Sequence, residues 1–119
     1  MKKRISIKKA SITDNKLLLQ ASESINGFMP SEQILVDSKQ FSFVYLLENQ
    51  DGYTYLDIPE SIWPLIKNSL EMTTPVWVQF KDDELELTNF YEELVFLINN
   101  IKGNSNYGVE MVAKVEAIF

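Results

Sequence analysis

The segment FSFVYLLE at residues 41–48 is the feature that most constrains the fold of this chain. Alternate residues of a β-strand point to opposite faces of a sheet. Apolar side chains occupy both faces of this segment: Phe41, Phe43, Tyr45 and Leu47 on one, Val44 and Leu46 on the other. A strand that is apolar on both sides needs cover on both faces of its sheet. We expect helices to cover part of the sheet, and a curled sheet or a second subunit to cover the rest.

The alternation of apolar and polar residues changes parity within the first predicted strand. Ile5 and Ile7 alternate with polar residues, whereas Ala10 and Ile12 are apolar in the opposite parity. The phase shifts at Lys8–Lys9. This shift predicts a β-bulge, or a strand that crosses to a new face.

Turn residues divide the rest of the strand-rich region. Asp14–Asn15 predicts a two-residue hairpin turn, because both residues tolerate a positive φ. We interpret residues 22–33 as a loop, since Asn26–Gly27 and Pro30 interrupt regular structure there. The other strands are predicted at residues 17–20, 34–36, 41–48, 53–58, 76–80 and 85–87.

Two helices are predicted from apolar residues at helical spacing. The first begins near Glu60, with Ser61 as its N-cap, because Pro64 fits only in the first helical turn. The second begins after Asn89, which forms a capping-box pattern with Glu92, and Thr88 is a second candidate cap. Its apolar stripe is expected to place five side chains in the core: Phe90, Leu94, Leu97, Ile98 and Ile101.

A third helix is predicted from about Tyr107 to the last residue. The predicted fold class is α+β, with a mainly antiparallel sheet of about five to seven strands and three helices. The order along the chain is β-β-β-β-β-α-β-β-α-α. A chain of 119 residues has the usual length of one domain, so we expect residues 1–119 to form a single α+β domain.

The composition excludes several kinds of chemistry. The chain has no Cys and no His, so thiol and imidazole catalysis and the usual ligand sets of zinc, haem and iron–sulfur clusters are absent. Carboxylates suggest two weaker candidate sites. Oxygen ligands for Ca²⁺ or Mg²⁺ could come from Asp82, Asp83, Glu84 and Glu86. An acid–base pair could consist of Asp57 and Glu60. A polar hairpin turn and the start of a helix explain the same residues without a metal or a reaction.

Serine nucleophiles have no histidine to activate them in this sequence. Ser38, Ser42 and Ser61 would depend on a Ser–Lys dyad with Lys39, for which no motif argues. We therefore expect no cofactor and no metal, and favour a function other than catalysis.

Charge is distributed unevenly along the chain, whose formal net charge is −6. Residues 1–16 hold six basic side chains and one acidic one, which suggests either pairing with acids elsewhere or a contact with nucleic acid through Lys2, Arg4 and Lys8. No apolar stretch follows the basic start, so we expect neither a signal peptide nor a membrane span. The expected location is the cytoplasm, and nucleic acid is not the favoured partner.

The segment at residues 103–108, GNSNYG, is the most interesting candidate site. Asn104, Ser105, Asn106 and Tyr107 lie between two predicted helices, and free backbone N–H groups at the start of a helix can hold an anion. Turn and cap roles explain the same residues, with Gly103 in the left-handed position after a helix and Ser105 or Asn106 as the next N-cap. Both interpretations stay open.

Four motifs resemble those of a known family. They are LVDS at Leu35–Ser38, SFVY at Ser42–Tyr45, LELT at Leu85–Thr88, and KGNSNYGVEMV at Lys102–Val112. Together with residues 51–63 and 84–94, they cover about half the chain directly. The chain is similar to an uncharacterised family of small cytoplasmic proteins from Bacillus- and Staphylococcus-type Gram-positive bacteria. The resemblance implies a lineage; the family has no assigned activity, cofactor or catalytic residue.

The leading hypothesis is a non-enzymatic domain that binds another protein, including a second copy of itself. It follows from sparse catalytic groups, apolar residues on both sheet faces and an acidic chain. The first alternative is a binder of a small anion or metabolite at residues 103–108. The nucleic-acid contact is the second alternative.

Overall fold

The computed structural model describes residues 3–119, which form seven strands, three α-helices and two short 3-10 turns. The strands are β1 (Lys3–Thr13), β2 (Lys16–Ala21), β3 (Met29–Asp37), β4 (Ser42–Asn49), β5 (Gly52–Pro59), β6 (Val76–Phe80) and β7 (Asp83–Glu86). The helices are α1 (Trp63–Glu71), α2 (Phe90–Ile101) and α3 (Val109–Ile118), and the 3-10 turns are Glu60–Ile62 and Ser105–Tyr107. The α+β class and the order of elements confirm the prediction.

One curled sheet contains all seven strands, in the spatial order β3-β4-β5-β1-β2-β6-β7. Four of the six pairings are antiparallel, whereas β1 pairs with β5 and β2 with β6 in parallel. The prediction of a mainly antiparallel sheet is therefore confirmed. The two parallel pairings were not predicted. The curl brings the edge strands β3 and β7 close to each other.

A bulge lets β1 serve two neighbours. Its first half pairs with β5 and its second half with β2, and the register shifts between Ile7 and Lys9. The extra residue keeps Ile5, Ile7 and Ala10 on the core side although their parity changes. The turn after β1 has positive φ values at Asp14 and Asn15, as the hairpin prediction requires.

The core lies between the helices and one face of the sheet, which we call the inner face. Phe43, Tyr45 and Leu56 on this face join one cluster with buried side chains from all three helices. Trp63 of α1 packs on Phe43, with ring centroids 4.9 Å apart. Because every buried apolar helical side chain belongs to this cluster, the helices of residues 3–119 cover the inner face.

The predicted loop at residues 22–33 is too long. β3 already begins at Met29, although its register with β4 shifts between Pro30 and Ile34. Glu32 has a φ of 64° within this irregularity. Pro30 is tolerated because β3 is an edge strand, where an N–H facing solvent is not needed by a neighbour.

Two predicted helix starts and one predicted cap bond need correction. Ser61 lies inside a 3-10 turn, and Ile62 is the N-cap of α1, although Pro64 does occupy the first turn as expected. Asn89 is the N-cap of α2, but it is left-handed and its side chain makes no cap hydrogen bond. α3 begins at Val109 because residues from Ser105 onwards form a 3-10 turn, and Gly108 is its N-cap.

One side chain predicted in the core lies at its margin. Leu94 and Ile98 of α2 are buried, whereas Leu97 is only partly buried against the cluster. The predicted apolar stripe of α2 lies on the correct side of the helix. It includes one residue too many, because Leu97 lies at the edge of the contact with the sheet.

Tyr45 links the core to the chain before α2 and makes stability depend on pH. Its hydroxyl donates a hydrogen bond to the Thr88 carbonyl oxygen at 2.7 Å. Burial is the main cause that raises the pKa of Tyr45 from 10.0 to about 12. Since the folded pKa is the higher one, this contribution to stability is complete below about pH 10 and is lost as the pH rises towards about 12.

We therefore expect Tyr45→Phe to flatten the fall in unfolding free energy over that alkaline range. Urea unfolding of both proteins at a series of pH values measures the difference. Equal declines in the two proteins would contradict the assignment of this effect to Tyr45.

Candidate functional site

The four residues predicted as a candidate site form one compact turn between α2 and α3. Gly103 has a φ of 71°, which is the left-handed conformation expected after a helix. The Asn104 side chain accepts a hydrogen bond from the Asn106 N–H at 3.1 Å. The Asn104 carbonyl oxygen accepts another from the Tyr107 N–H at 3.2 Å. These bonds make Asn104 the cap of the 3-10 turn that contains Ser105, a role predicted for Ser105 or Asn106.

A carboxylate of α3 already contacts this turn. The Gly103 N–H donates a hydrogen bond to Glu116 Oε2 at 2.9 Å. Gly103 and Glu116 also line a depression of about 340 Å³, together with the apolar Val109, Val112 and Ala113. An incoming anion would have to approach the Glu116 carboxylate, so the charge beside the turn opposes anion binding.

A substitution of Tyr107 tests whether this turn takes part in binding as well as in the fold. The Tyr107 ring is partly buried against the core cluster. If the ring only packs, Tyr107→Phe should change the unfolding free energy by no more than about 0.5 kcal/mol and leave binding of any partner unchanged. Urea unfolding and light scattering of the parent and variant measure these two quantities. A folded Tyr107→Phe protein that loses association would make the turn a binding site.

A second group of polar side chains lies on the other side of the sheet, which we call the outer face. It is the surface of β3, β4, β5 and β1 that points away from the helices. The Arg4 guanidinium binds the Asp57 carboxylate in a bidentate manner, with Nε to Oδ2 at 2.8 Å and Nη2 to Oδ1 at 2.6 Å. Nη2 also donates to Asp37 Oδ2 at 3.0 Å. This cluster ties β1 to its neighbour β5 and to the end of β3.

The Arg4 cluster is strongly charge-assisted. Hydrogen bonding to Asp57 is the largest cause that raises the pKa of Arg4 above its ordinary value, and burial opposes it. Arg4 also lies over the Tyr55 ring, 5.4 Å from its centroid. Phosphate contact through Arg4, as the nucleic-acid alternative requires, would compete with two carboxylates.

Breaking this cluster should lower stability. Asp57→Ala removes both bidentate bonds and leaves Arg4 with Asp37 alone, so we expect a loss of about 1–2 kcal/mol, below the full value for buried charged hydrogen bonds because Arg4 is partly exposed. Glu84→Ala, which breaks the more exposed pair with Lys16, is the control and should cost less than about 1 kcal/mol. Equal losses in urea unfolding would contradict the special role of the Arg4 cluster.

Apolar side chains surround the Arg4 cluster on the outer face. Val44 and Leu46 are buried, at 2% and 6% exposure, yet they do not belong to the core cluster. Leu35 beside them is 41% exposed and Tyr53 is 50% exposed. Arg4, Leu35, Val44 and Tyr55 line a common depression of about 390 Å³. The outer face thus combines buried apolar side chains, the exposed Leu35 and Tyr53, and one charged cluster.

The other predicted candidates are distributed among separate contacts. Asp57 pairs with Arg4, whereas Glu60 pairs with Lys114 at 3.2 Å, so the proposed acid–base pair is divided between two cations. Ser42 Oγ is buried and has no hydrogen-bond partner among the described residues, so it forms no dyad with Lys39.

One ion pair joins the acidic hairpin to the basic first segment of the chain. Glu84 of the predicted metal cluster accepts a hydrogen bond from Lys16 Nζ at 2.7 Å. Within residues 3–119, no three acidic side chains come close enough together to hold a metal ion. Lys2 lies outside the described residues, and Lys8 is exposed.

Pairing of the basic first strand with acids elsewhere was one of the two expectations, but the sequence did not identify Asp57 and Asp37 as the partners of Arg4. The available signal was parity, because Arg4 and Asp57 each lie one position away from an inward apolar residue, Ile5 and Ile58. The parallel alignment of β1 with β5, which brings the two side chains together, has no local sequence signature.

Comparison with known proteins places the chain among bacterial relatives of similar length. Residues 5–119 match the model of a family of unknown function, UPF0738. A UPF0738 protein of Bacillus velezensis is 42% identical over 121 aligned positions, and YjbL of Bacillus subtilis is 41% identical, with 100% of this chain and 99% of each relative covered. A UPF0738 protein of Bacillus cereus is 34% identical over 100% of this chain and 99% of its own length.

Two further findings accompany the family match. No solved structure matches this chain. Among the described residues, no helix has the length and apolar character needed to cross a membrane. The full-length matches confirm the resemblance predicted from the LVDS, SFVY, LELT and KGNSNYG motifs, and the chain belongs to UPF0738, an uncharacterised family with homologues in Bacillus species.

Proposed function

We propose that this protein is a non-enzymatic interaction domain that binds a protein partner through the outer face of its sheet. The observation that carries the proposal is the apolar layer on that face. Leu35 and Tyr53 are exposed on that face, beside Val44 and Leu46, which are buried although they do not belong to the core cluster. Exposed apolar surface around an arginine and a tyrosine is typical of protein interfaces.

The edges of the sheet support a face rather than an edge as the binding surface. An exposed regular edge strand can add a strand from a partner. β3 has an irregular register that includes Pro30 and the left-handed Glu32. β7 is four residues long and contains three of the four acids of the predicted metal cluster. Both edges are therefore poor templates for a partner strand.

The alternative, binding of a small anion or metabolite at residues 103–108, has weaker support. Asn104, Ser105, Asn106 and Tyr107 do lie together, but the nearby Gly103 N–H is bound by the Glu116 carboxylate. The bonds within the turn explain these residues as a connection between two helices.

Photo-crosslinking in Bacillus cells tests the proposal. Tyr53→p-benzoylphenylalanine places an aromatic crosslinker on the outer face, and Phe96→p-benzoylphenylalanine places it at a comparably exposed aromatic position on α2, where Phe96 is 63% exposed. We expect a discrete protein adduct from position 53 and none from position 96. Discrete adducts from neither position, or from position 96 alone, would contradict binding through the outer face.

A further inference from the structure

We infer that Asn26 is a site of spontaneous deamidation, a covalent modification that needs no enzyme. Asn26 is the only asparagine in the sequence that glycine follows. Residues Ile25–Phe28 form a turn, closed by a hydrogen bond of 3.3 Å from the Phe28 N–H to the Ile25 carbonyl oxygen. Asn26 and Gly27 occupy the two central positions of this turn, and both are exposed. Water therefore reaches the amide that reacts.

The reaction needs only the side-chain amide, the next backbone nitrogen and water. The Gly27 nitrogen attacks Asn26 Cγ, and the Gly27 N–H proton passes to hydroxide. The amide nitrogen takes a proton from water and leaves as ammonia, so that the two residues are joined in a succinimide ring. Water then opens the ring at either carbonyl carbon, which gives aspartate at one and isoaspartate at the other. Glycine favours the attack because it has no Cβ to hinder the approach of its nitrogen.

Both reacting groups lack hydrogen bonds that would hold them. Among the residues that the structure describes, neither the Asn26 side-chain amide nor the Gly27 N–H has a hydrogen-bond partner. Only the Asn26 backbone N–H is held, by Ser24 Oγ at 3.2 Å. The side chain is therefore free to rotate towards the Gly27 nitrogen.

Two other turn asparagines are restrained. Asn104 Oδ1 accepts a hydrogen bond from the Asn106 N–H at 3.1 Å, and Asn49 Oδ1 accepts one from the Asp51 N–H at 2.9 Å. Each bond must break before the side chain can reach the next backbone nitrogen. Every asparagine other than Asn26 also precedes a residue with a Cβ. We therefore expect modification at Asn26 before any other asparagine.

The product carboxylate would lie beside two others. Asn26 lines a depression of about 160 Å³ together with Asp83 and Glu84 of β7. Lys16 pairs with Glu84 at 2.7 Å, so the Asp83 carboxylate supplies most of the repulsion that a new negative charge would meet. Isoaspartate also adds a methylene to the backbone next to the buried Ile25. Both products should therefore loosen the turn against β7.

Asn26→Asp isolates the effect of the charge, because it has the aspartate of one product without the altered backbone of the other. In urea unfolding, this variant should have a lower midpoint than the parent. The difference should shrink as salt increases, since salt screens repulsion between exposed carboxylates. An unchanged midpoint, or a difference that salt does not reduce, would contradict the repulsion.

Storage of the purified full chain in mildly alkaline buffer, followed by mass spectrometry of its peptides, tests the site. The peptide that contains Asn26 should gain about 1 Da when its amide becomes a carboxylic acid, with an equal release of ammonia. Asn26→Gln, which needs a larger ring, should slow the modification at least about tenfold, and so should Gly27→Ala, in which a Cβ hinders the attacking nitrogen. Gly27 has a φ of 86°, so Asn26→Gln is the variant to use if Gly27→Ala does not fold.

Three results would overturn the assignment of this site. The first is a peptide with Asn26 that keeps its mass in the folded protein, including the case in which it reacts only in urea. The second is equal modification of Asn26 and Asn104. The third is an unchanged rate in Asn26→Gln, which would place the reacting group elsewhere in the same peptide.

Discussion

Trp63→Ala is expected to lower the free energy of unfolding by about 3–5 kcal/mol. Trp63 is fully buried, and its ring centroid lies 4.9 Å from that of Phe43 and 6.1 Å from that of Phe119. Its indole N–H points at the Ile58 carbonyl oxygen, 3.4 Å away. Removing the ring leaves a cavity where α1, the sheet and the end of α3 meet, and the neighbours can only partly close it. A loss of this size is a large fraction of the total free energy of unfolding of a protein of ordinary stability.

The same substitution at the other tryptophan is the matched control. Trp77 lies on the outward side of β6, partly exposed, with Lys16 Nζ 4.8 Å from its ring centroid. Trp77→Ala removes the same atoms from a site that water can fill, so we expect a loss of no more than about half as much. Urea unfolding of the three proteins measures both losses. A Trp63→Ala loss below about 1 kcal/mol, or one no larger than that of Trp77→Ala, would show that this aromatic cluster does not organise the core.

A second large effect is expected in α2. Leu94 is fully buried, so Leu94→Ala should cost about 2–5 kcal/mol, whereas the partly buried Leu97 should cost roughly half as much when it is changed to Ala. Both variants exchange the same residue types within one helix, so intrinsic helix propensity cancels from the comparison. The difference between their unfolding free energies therefore reports burial. Equal losses would show that Leu97 lies as deep as the sequence stripe alone predicts.

Local features of the fold were predictable because each depends on neighbouring residues. The turn at Asp14–Asn15 needs two residues that tolerate positive φ, and the Lys8–Lys9 phase shift requires an extra residue in the strand. Pro64 restricts the start of α1 through its own ring and missing N–H. The glycine after α2 is left-handed for a similarly local reason.

Cap and boundary predictions failed where tertiary contacts competed with local preference. Asn89 has the residue type and the position of an N-cap, but its backbone is left-handed and its side chain makes no cap bond. Nearby, the Tyr45 hydroxyl binds the Thr88 carbonyl oxygen and holds the chain at its entry into α2. The loop before residue 34 was predicted too long, because pairing with β4 makes residues 29–33 part of a strand despite Pro30.

The two parts of the candidate site also differ in how far the sequence predicted them. The turn at Asn104–Tyr107 was visible in the sequence, because amide, hydroxyl and glycine residues concentrate there. The outer face was visible only as an excess of apolar residues on strand 41–48. Its charged cluster joins Arg4 to residues 33 and 53 positions away, and no spacing rule connects side chains at such separations.

By itself the sequence determined the α+β class, the order of the elements, the bulge and hairpin of the first strands and the membership in UPF0738. These depend on periodicity, on residues with special backbone preferences and on inherited motifs. The tertiary structure decided which strands are neighbours, that β1 and β2 each gain a parallel partner, and that Val44 and Leu46 lie on a face apart from the core. Pairing between distant strands depends on how the whole chain buries its apolar surface. The alternation of residues along one strand does not specify which strand lies beside it.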